Sequence, residues 1–132
     1  MLNDYDQSIE FGKKGLEINP MDILSWSILG VSYNEIGEYD KALVAFKKCI
    51  ELRPEEKYNW NNLGWVYCNL GEYDKAIDAC NKEIEIDPKS SYPWNHLGYA
   101  NYKKGDINKG IELIKKSMLL DPKYSRAPYY LF

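Results

Sequence analysis

Trp26, Leu29 and Tyr33 are spaced three and four residues apart, the interval that lines side chains up along one stripe of an α-helix. The pattern predicts a first helix from Ile23 to about Ile36, ended at Gly37, and a second from about Tyr39 to Leu52, stopped before Arg53-Pro54. Glycine permits the turn backbone. Proline lacks an N–H and clashes with the preceding turn, so it cannot continue a helix. The unit is helix, turn, helix, stop.

The unit recurs. Pro20, Pro54, Pro88 and Pro122 stand 34 residues apart, as do Trp26, Trp60 and Trp94. In step with them come Leu29-Gly30, Leu63-Gly64 and Leu97-Gly98, then Gly37, Gly71 and Gly105. Ile23, Lys57 and Ser91 are taken as position one of successive units. Gly30 and Ala42 are expected where the two helices of a unit cross too closely for a larger side chain. Asp22 and Ser90 are expected to cap the helices that follow them, each by ~1 kcal/mol, with Glu56 a poorer cap. One helix pair cannot bury its stripe alone, so neighbouring units must stack into an all-α solenoid.

These residues resemble the tetratricopeptide repeat (TPR) family, whose pattern is W-x2-L-G-x2-Y, then A-x3-F, then P. Trp26, Leu29, Gly30, Tyr33, Ala42, Phe46 and Pro54 match it throughout. The second unit gives Trp60, Leu63, Gly64, Tyr67, Ala76 and Pro88, with Cys80 in place of the phenylalanine. The third keeps Trp94, Leu97, Gly98 and Pro122, but has Asn101, Gly110 and Ile114 where Tyr, Ala and Phe are expected. The resemblance implies antiparallel helix pairs wound into a right-handed superhelix.

The register divides the chain into a partial unit at 1–22, full units at 23–56, 57–90 and 91–124, and the start of a further first helix at 125–132. Residues 3–18 form a second helix, with Tyr5 and Ser8 in the places of Tyr39 and Ala42. Residues 127–132 read Ala-Pro-Tyr-Tyr-Leu-Phe, apolar where a solenoid normally closes on a polar face. A fragment of a longer array is the first expectation. Head-to-tail association into a homo-oligomer is the alternative.

At about 100° per residue, positions four, seven, eight and eleven of each first helix share one side, and two, five, six, nine, twelve and thirteen the opposite side. In the resembled family the second set lines a concave groove for extended peptides or partner helices. The first unit supplies Leu24, Ser27, Ile28, Val31, Asn34 and Glu35 there. The second supplies Tyr58, Asn61, Asn62, Trp65, Cys68 and Asn69, and the third Tyr92, Asn95, His96, Tyr99, Tyr102 and Lys103. The peptide-binding candidates are Tyr58, Asn61, Asn62, Trp65, Asn69, Tyr92, Asn95, His96, Tyr99 and Tyr102. Asparagine offers both a donor and an acceptor to a peptide backbone. Tyr and Trp add stiff contact area with a polar edge. The competing reading is that these side chains only line the inside of the superhelix and touch the next unit.

Co-chaperones of the family clamp chaperone carboxylates with Lys, Asn and Arg at five groove places. Those places hold Ser27, Val31, Asn62, Tyr92 and His96 here, or Asn61, Trp65, His96, Arg126 and Tyr130 one unit on. The cations are missing, so chaperone-tail binding is disfavoured.

Composition narrows the remaining classes. A formal charge of -3 gives no support for a grip on a phosphate backbone, and nucleic acid is not an expected partner. No apolar run is long enough for a membrane span, and the N-terminus is polar and acidic. Cys49, Cys68 and Cys80 show no CxxC spacing and the chain has one histidine, so neither zinc nor any cofactor is expected. The cysteines read as reduced thiols of a cytoplasmic protein, Cys49 and Cys80 packed inward and Cys68 accessible. His96 has no assignable catalytic partner, and no enzymatic activity is expected. Glu83 falls at an inward position where Gly15, Cys49 and Ser117 stand in the other units. A carboxylate there must reach solvent or find a donor.

Overall fold

Each proline-to-glycine interval of the sequence becomes one helix, in a computed structural model that describes residues 4–121. The helices are α1 (Asp4–Ile18), α2 (Ile23–Glu35), α3 (Tyr39–Leu52), α4 (Lys57–Leu70), α5 (Tyr73–Ile86), α6 (Tyr92–Lys103) and α7 (Ile107–Leu120). No strand occurs among the described residues. Helices adjacent in sequence pack together, and α4 also touches α6, the arrangement of an α-solenoid. The expected further helix at 125–132 lies outside the described residues.

The turns inside the pairs are closed by backbone geometry. Gly37, Gly71 and Gly105 have φ of 84°, 77° and 104°, a left-handed conformation that costs an L side chain free energy. It lets the amides of Glu38, Glu72 and Asp106 reach back to the carbonyls of Tyr33, Tyr67 and Asn101 at 2.8, 3.0 and 3.0 Å. The helix starts differ from expectation. The Asp22 carboxylate accepts from the Ser25 hydroxyl at 2.5 Å and makes no capping bond. Ser91, not Ser90, precedes α6, because the Ser90 hydroxyl is turned inward to Glu83. Asp106 does cap α7, accepting from the Lys109 amide at 3.3 Å.

The close crossing expected at Gly30 is present. A Cβ there would lie 2.4 Å from the Phe46 ring, and Ala42 is fully buried. In the second unit Cys80 replaces the ring, and a Cβ on Gly64 would find its sulfur at 3.3 Å. The third unit is tighter. Gly110 stands where the others have alanine, and a Cβ on Gly98 would meet the Gly110 carbonyl at 2.8 Å. The tryptophans also tie the first two full units to the loop before them, since the indole N–H of Trp26 donates to the Pro20 carbonyl at 2.9 Å and that of Trp60 to Pro54 at 2.7 Å.

Candidate functional site

With one stripe of each first helix committed to its own pair, the opposite side of α4 and α6 carries the remaining aromatic and amide side chains. Tyr58 is 50% exposed, and its ring meets that of Tyr92 edge-on at 6.0 Å. Lys57 Nζ lies 5.1 Å from the Tyr58 ring. Asn61, Asn62, Trp65, Tyr92, Tyr99 and Tyr102 are half-buried, and Asn69 is exposed. Tyr99 meets Tyr73 edge-on at 6.1 Å and carries Lys103 Nζ at 5.8 Å from its ring. Burial, and then the neighbouring Tyr73, push its phenol above the ordinary tyrosine range.

Two candidates lie deeper than the sequence suggests. Asn95 is 1% exposed and His96 5%. The cause is the direct approach of α6 to α4: Cys68 donates a weak S–H bond to the His96 carbonyl at 3.7 Å. The same contact buries Cys68, which was expected to be accessible. Asn95 Oδ1 and Asn61 Oδ1, both at position five, are buried acceptors without a hydrogen-bond partner. The Asn69 amide donates to Asn34 Oδ1 at 3.0 Å, linking α4 to α2. The surface is thus a row of aromatic edges separated by amides, with cations only at its margins.

One polar group was not foreseen from spacing. Asn59 donates to the carbonyls of Cys49 at 3.2 Å and Arg53 at 3.1 Å, fastening α4 to the end of α3. An amide at position three, where the other units carry Ser25 and Pro93, is the signal that could have shown it. Glu83 is 0% exposed and accepts from the Ser90 hydroxyl at 3.2 Å, while its other oxygen has no partner. Beside it, Lys57 pairs with Asp87 at 2.6 Å. The thiols of Cys49 and Cys80 are buried as expected. Among the described residues no group of three or more His, Cys, Asp and Glu is placed to hold a metal ion. No helix there is long and apolar enough to cross a membrane.

A further groove, of about 300 Å3, opens between α1 and α2. It is lined by Tyr5, Ser8, Ser27, Ile28, Val31 and Ser32. Ser27, Ile28 and Val31 are positions five, six and nine of the first unit, so the opening lies on the side of α2 that corresponds to the candidate surface of α4 and α6.

Stacked helix pairs with a surface left over from packing define a helical-repeat protein. Models of the tetratricopeptide repeat match residues 23–56, 59–90 and 92–124. The chain belongs to the tetratricopeptide repeat family. Among solved structures it is similar to MamA from Desulfovibrio magneticus RS-1, with 25% identity and a TM-score of 0.80 over 92% of this chain and 68% of that one. Another crystal structure of MamA gives 26% identity and a TM-score of 0.81 over 97% and 75% of the two chains. The first TPR of Spaghetti (RPAP3), bound to an HSP90 peptide, shares the fold at 19% identity and a TM-score of 0.73, over 83% and 86%. A search of curated proteins finds no significant match.

Proposed function

We propose that the chain is a noncatalytic adaptor that binds a protein or an extended peptide across α4 and α6. The observation that carries this reading is the partly exposed row of Tyr58, Trp65 and Tyr92, interleaved with Asn61, Asn62 and Asn69; Tyr99 and Tyr102 extend it while also packing, Tyr99 against Tyr73 and Tyr102 against Gly110 of α7. Aromatic faces supply contact area, and amides hold a backbone whatever its sequence. Asn95 and His96 act from behind this surface, supporting Tyr92 and Tyr99.

The ligand this row suits is neutral and carries aromatic or aliphatic side chains. One fold neighbour was solved with a chaperone peptide. In this chain Ser27, Val31, Tyr92 and His96 stand where the family clamp places cations or asparagine, so an acidic chaperone tail lacks its counter-charges. The three cysteines, none in a disulfide, fit a reducing, cytoplasmic setting.

An array of neutral, extended peptides, followed by calorimetry on the hits, tests the reading. Changing Asn62→Ala and Trp65→Ala together should weaken capture at least about tenfold, the effect of removing one interface anchor, while the helical circular dichroism is kept. Undiminished capture by the folded double variant overturns it.

A further inference from the structure

Position 27 of a second helix faces position five of its own first helix. In the unit at 23–56 these places are Cys49 and Ser27, whose sulfur and hydroxyl oxygen lie 3.4 Å apart. In the unit at 57–90 they hold Glu83 and Asn61. Glu83 is 0% exposed, and only one of its oxygens is engaged, Oε2 accepting from the Ser90 hydroxyl at 3.2 Å. Oε1 is buried without a partner, and so is Asn61 Oδ1. Two acceptors cannot bond each other, and each is costly to leave unmet. A single proton between them satisfies both.

We propose that Glu83 positions Asn61 on the α4 surface by donating a carboxyl proton from Oε1 to Asn61 Oδ1, so that what this surface offers a ligand depends on a buried acid behind it. The consequence for binding rests on the peptide-binding reading; the geometry does not.

The surroundings keep that proton in place. Burial raises the Glu83 carboxyl to about 7, with the Ser90 hydrogen bond and Lys57 opposing the rise and Asp87 adding to it. Lys57, on α4, does not sit on the acid, because it pairs with Asp87 at 2.6 Å. Burial first, and then Cys68 and Glu83 itself, keep the Cys80 thiol on the same helix protonated. The link to α6 contributes the neutral Ser90 hydroxyl. Near neutral pH the Glu83 carboxyl therefore stands close to half protonation.

Protonation decides which end of the Asn61 amide faces outward. With the proton on Oε1, Asn61 Oδ1 is held inward and its NH2 group is presented to the open side, where it donates to a peptide carbonyl. Once Glu83 ionises, the carboxylate repels Oδ1 and attracts the NH2 group. The amide turns over, and the surface shows an acceptor where it showed a donor. The other full units carry Cys49 and Ser117 at position 27, neither of which ionises near neutral pH. The device belongs to the middle unit alone among the three.

The test is nuclear magnetic resonance on the full chain without ligand. Between pH 5 and pH 9 the Glu83 carboxyl carbon and the Asn61 side-chain NH2 signals should titrate together, with one midpoint of about 7. In Glu83→Gln an amide NH2 takes the place of the proton and the oxygen still accepts from Ser90, so the Asn61 signals should stay still. Asn61→Ala assigns those signals by their loss, and circular dichroism checks that both variants are folded. Asn61 signals that ignore the Glu83 titration, or that move equally in Glu83→Gln, overturn the proposal. A Glu83 carboxyl that is fully ionised at pH 6 does so as well. Binding supplies a second measurement, with the array peptide that wild type holds tightest at pH 6. Wild type should bind it about fivefold more weakly at pH 8, the worth of one hydrogen bond, and Glu83→Gln should keep the pH 6 affinity at both values. The same pH dependence in wild type and Glu83→Gln overturns the link to binding. If no array peptide binds, the peptide-binding reading falls on its own, and the resonance titration still decides whether Glu83 holds Asn61.

Discussion

The Trp60 indole N–H donates to the Pro54 carbonyl, six residues earlier, at 2.7 Å, and Trp26 repeats the bond to Pro20. This relationship joins the two most regular marks in the sequence and gives each a reason beyond its own helix. The proline stops one helix, and its carbonyl, freed from helical bonding, receives the tryptophan of the next. The third unit departs from it: Trp94 Nε1 has no hydrogen-bond partner, and Lys116 Nζ lies 3.7 Å from its ring centroid.

That departure separates two substitutions which the repeat makes look alike. Trp60→Phe keeps most of the half-buried ring but loses a hydrogen bond, a net loss of about 1 kcal/mol. Trp94→Phe removes a donor that has no acceptor and should be closer to neutral. Urea unfolding of both variants checks the order; equal losses would mean that the Trp60 bond contributes nothing beyond ring volume.

The three position-8 glycines are predicted to rank by what a methyl group would meet. At Gly98 it collides with backbone atoms, the Gly110 carbonyl at 2.8 Å and the Ile114 amide at 2.9 Å, neither of which can rotate away. At Gly30 it meets the buried Phe46 ring at 2.4 Å, and at Gly64 only the Cys80 sulfur at 3.3 Å. Overpacking typically costs about 1–3 kcal/mol, whereas alanine in place of glycine returns up to about 1 kcal/mol of helix propensity. Gly98→Ala should therefore destabilise most, Gly30→Ala less, and Gly64→Ala within about 1 kcal/mol of wild type. Thermal melting of the three variants tests the ranking.

The helix limits, the turns and the small residues at the crossings were legible in the sequence because each rests on local chemistry repeated at one interval. Trp26, Gly30 and Gly37 say the same thing wherever they recur. The depth of Asn95 and His96 was not legible, because it depends on how closely α6 approaches α4, and helical periodicity gives only the direction a side chain takes. Cys68 was misplaced for the same reason. The capping expectation at Ser90 failed through a competing long-range partner: its hydroxyl serves the Glu83 carboxyl of the preceding helix, a bond with no trace in the spacing around Ser90.

All three thiols should be slow to react in the folded chain. Burial raises the pKa of Cys49, of Cys68 to about 12, and of Cys80 well above the ordinary thiol range. The thiolate is the reactive form, so a disulfide reagent at pH 8 should label the native protein slowly and all three cysteines quickly in guanidinium. Fast native labelling of Cys68 would show that the contact between α4 and α6 opens in solution.

Glu83 gives the protein a dependence of stability on pH. Burial is the main cause that lifts its carboxyl from 4.5 to about 7; the Ser90 hydrogen bond and Lys57 oppose the rise, and Asp87 adds to it. The folded state therefore holds the proton more tightly than the unfolded chain does. Between pH 4.5 and about 7 the folded chain binds more protons, so this group makes stability fall as pH rises through that window, and its full penalty is present above it. The shift corresponds to about 3 kcal/mol. Glu83→Gln keeps an acceptor for Ser90 and cannot ionise. It should be more stable than wild type at pH 8, close to it at pH 5, and free of the slope between. Denaturant unfolding at those two pH values decides the matter, and a wild-type difference retained in the glutamine variant would assign the slope to other groups.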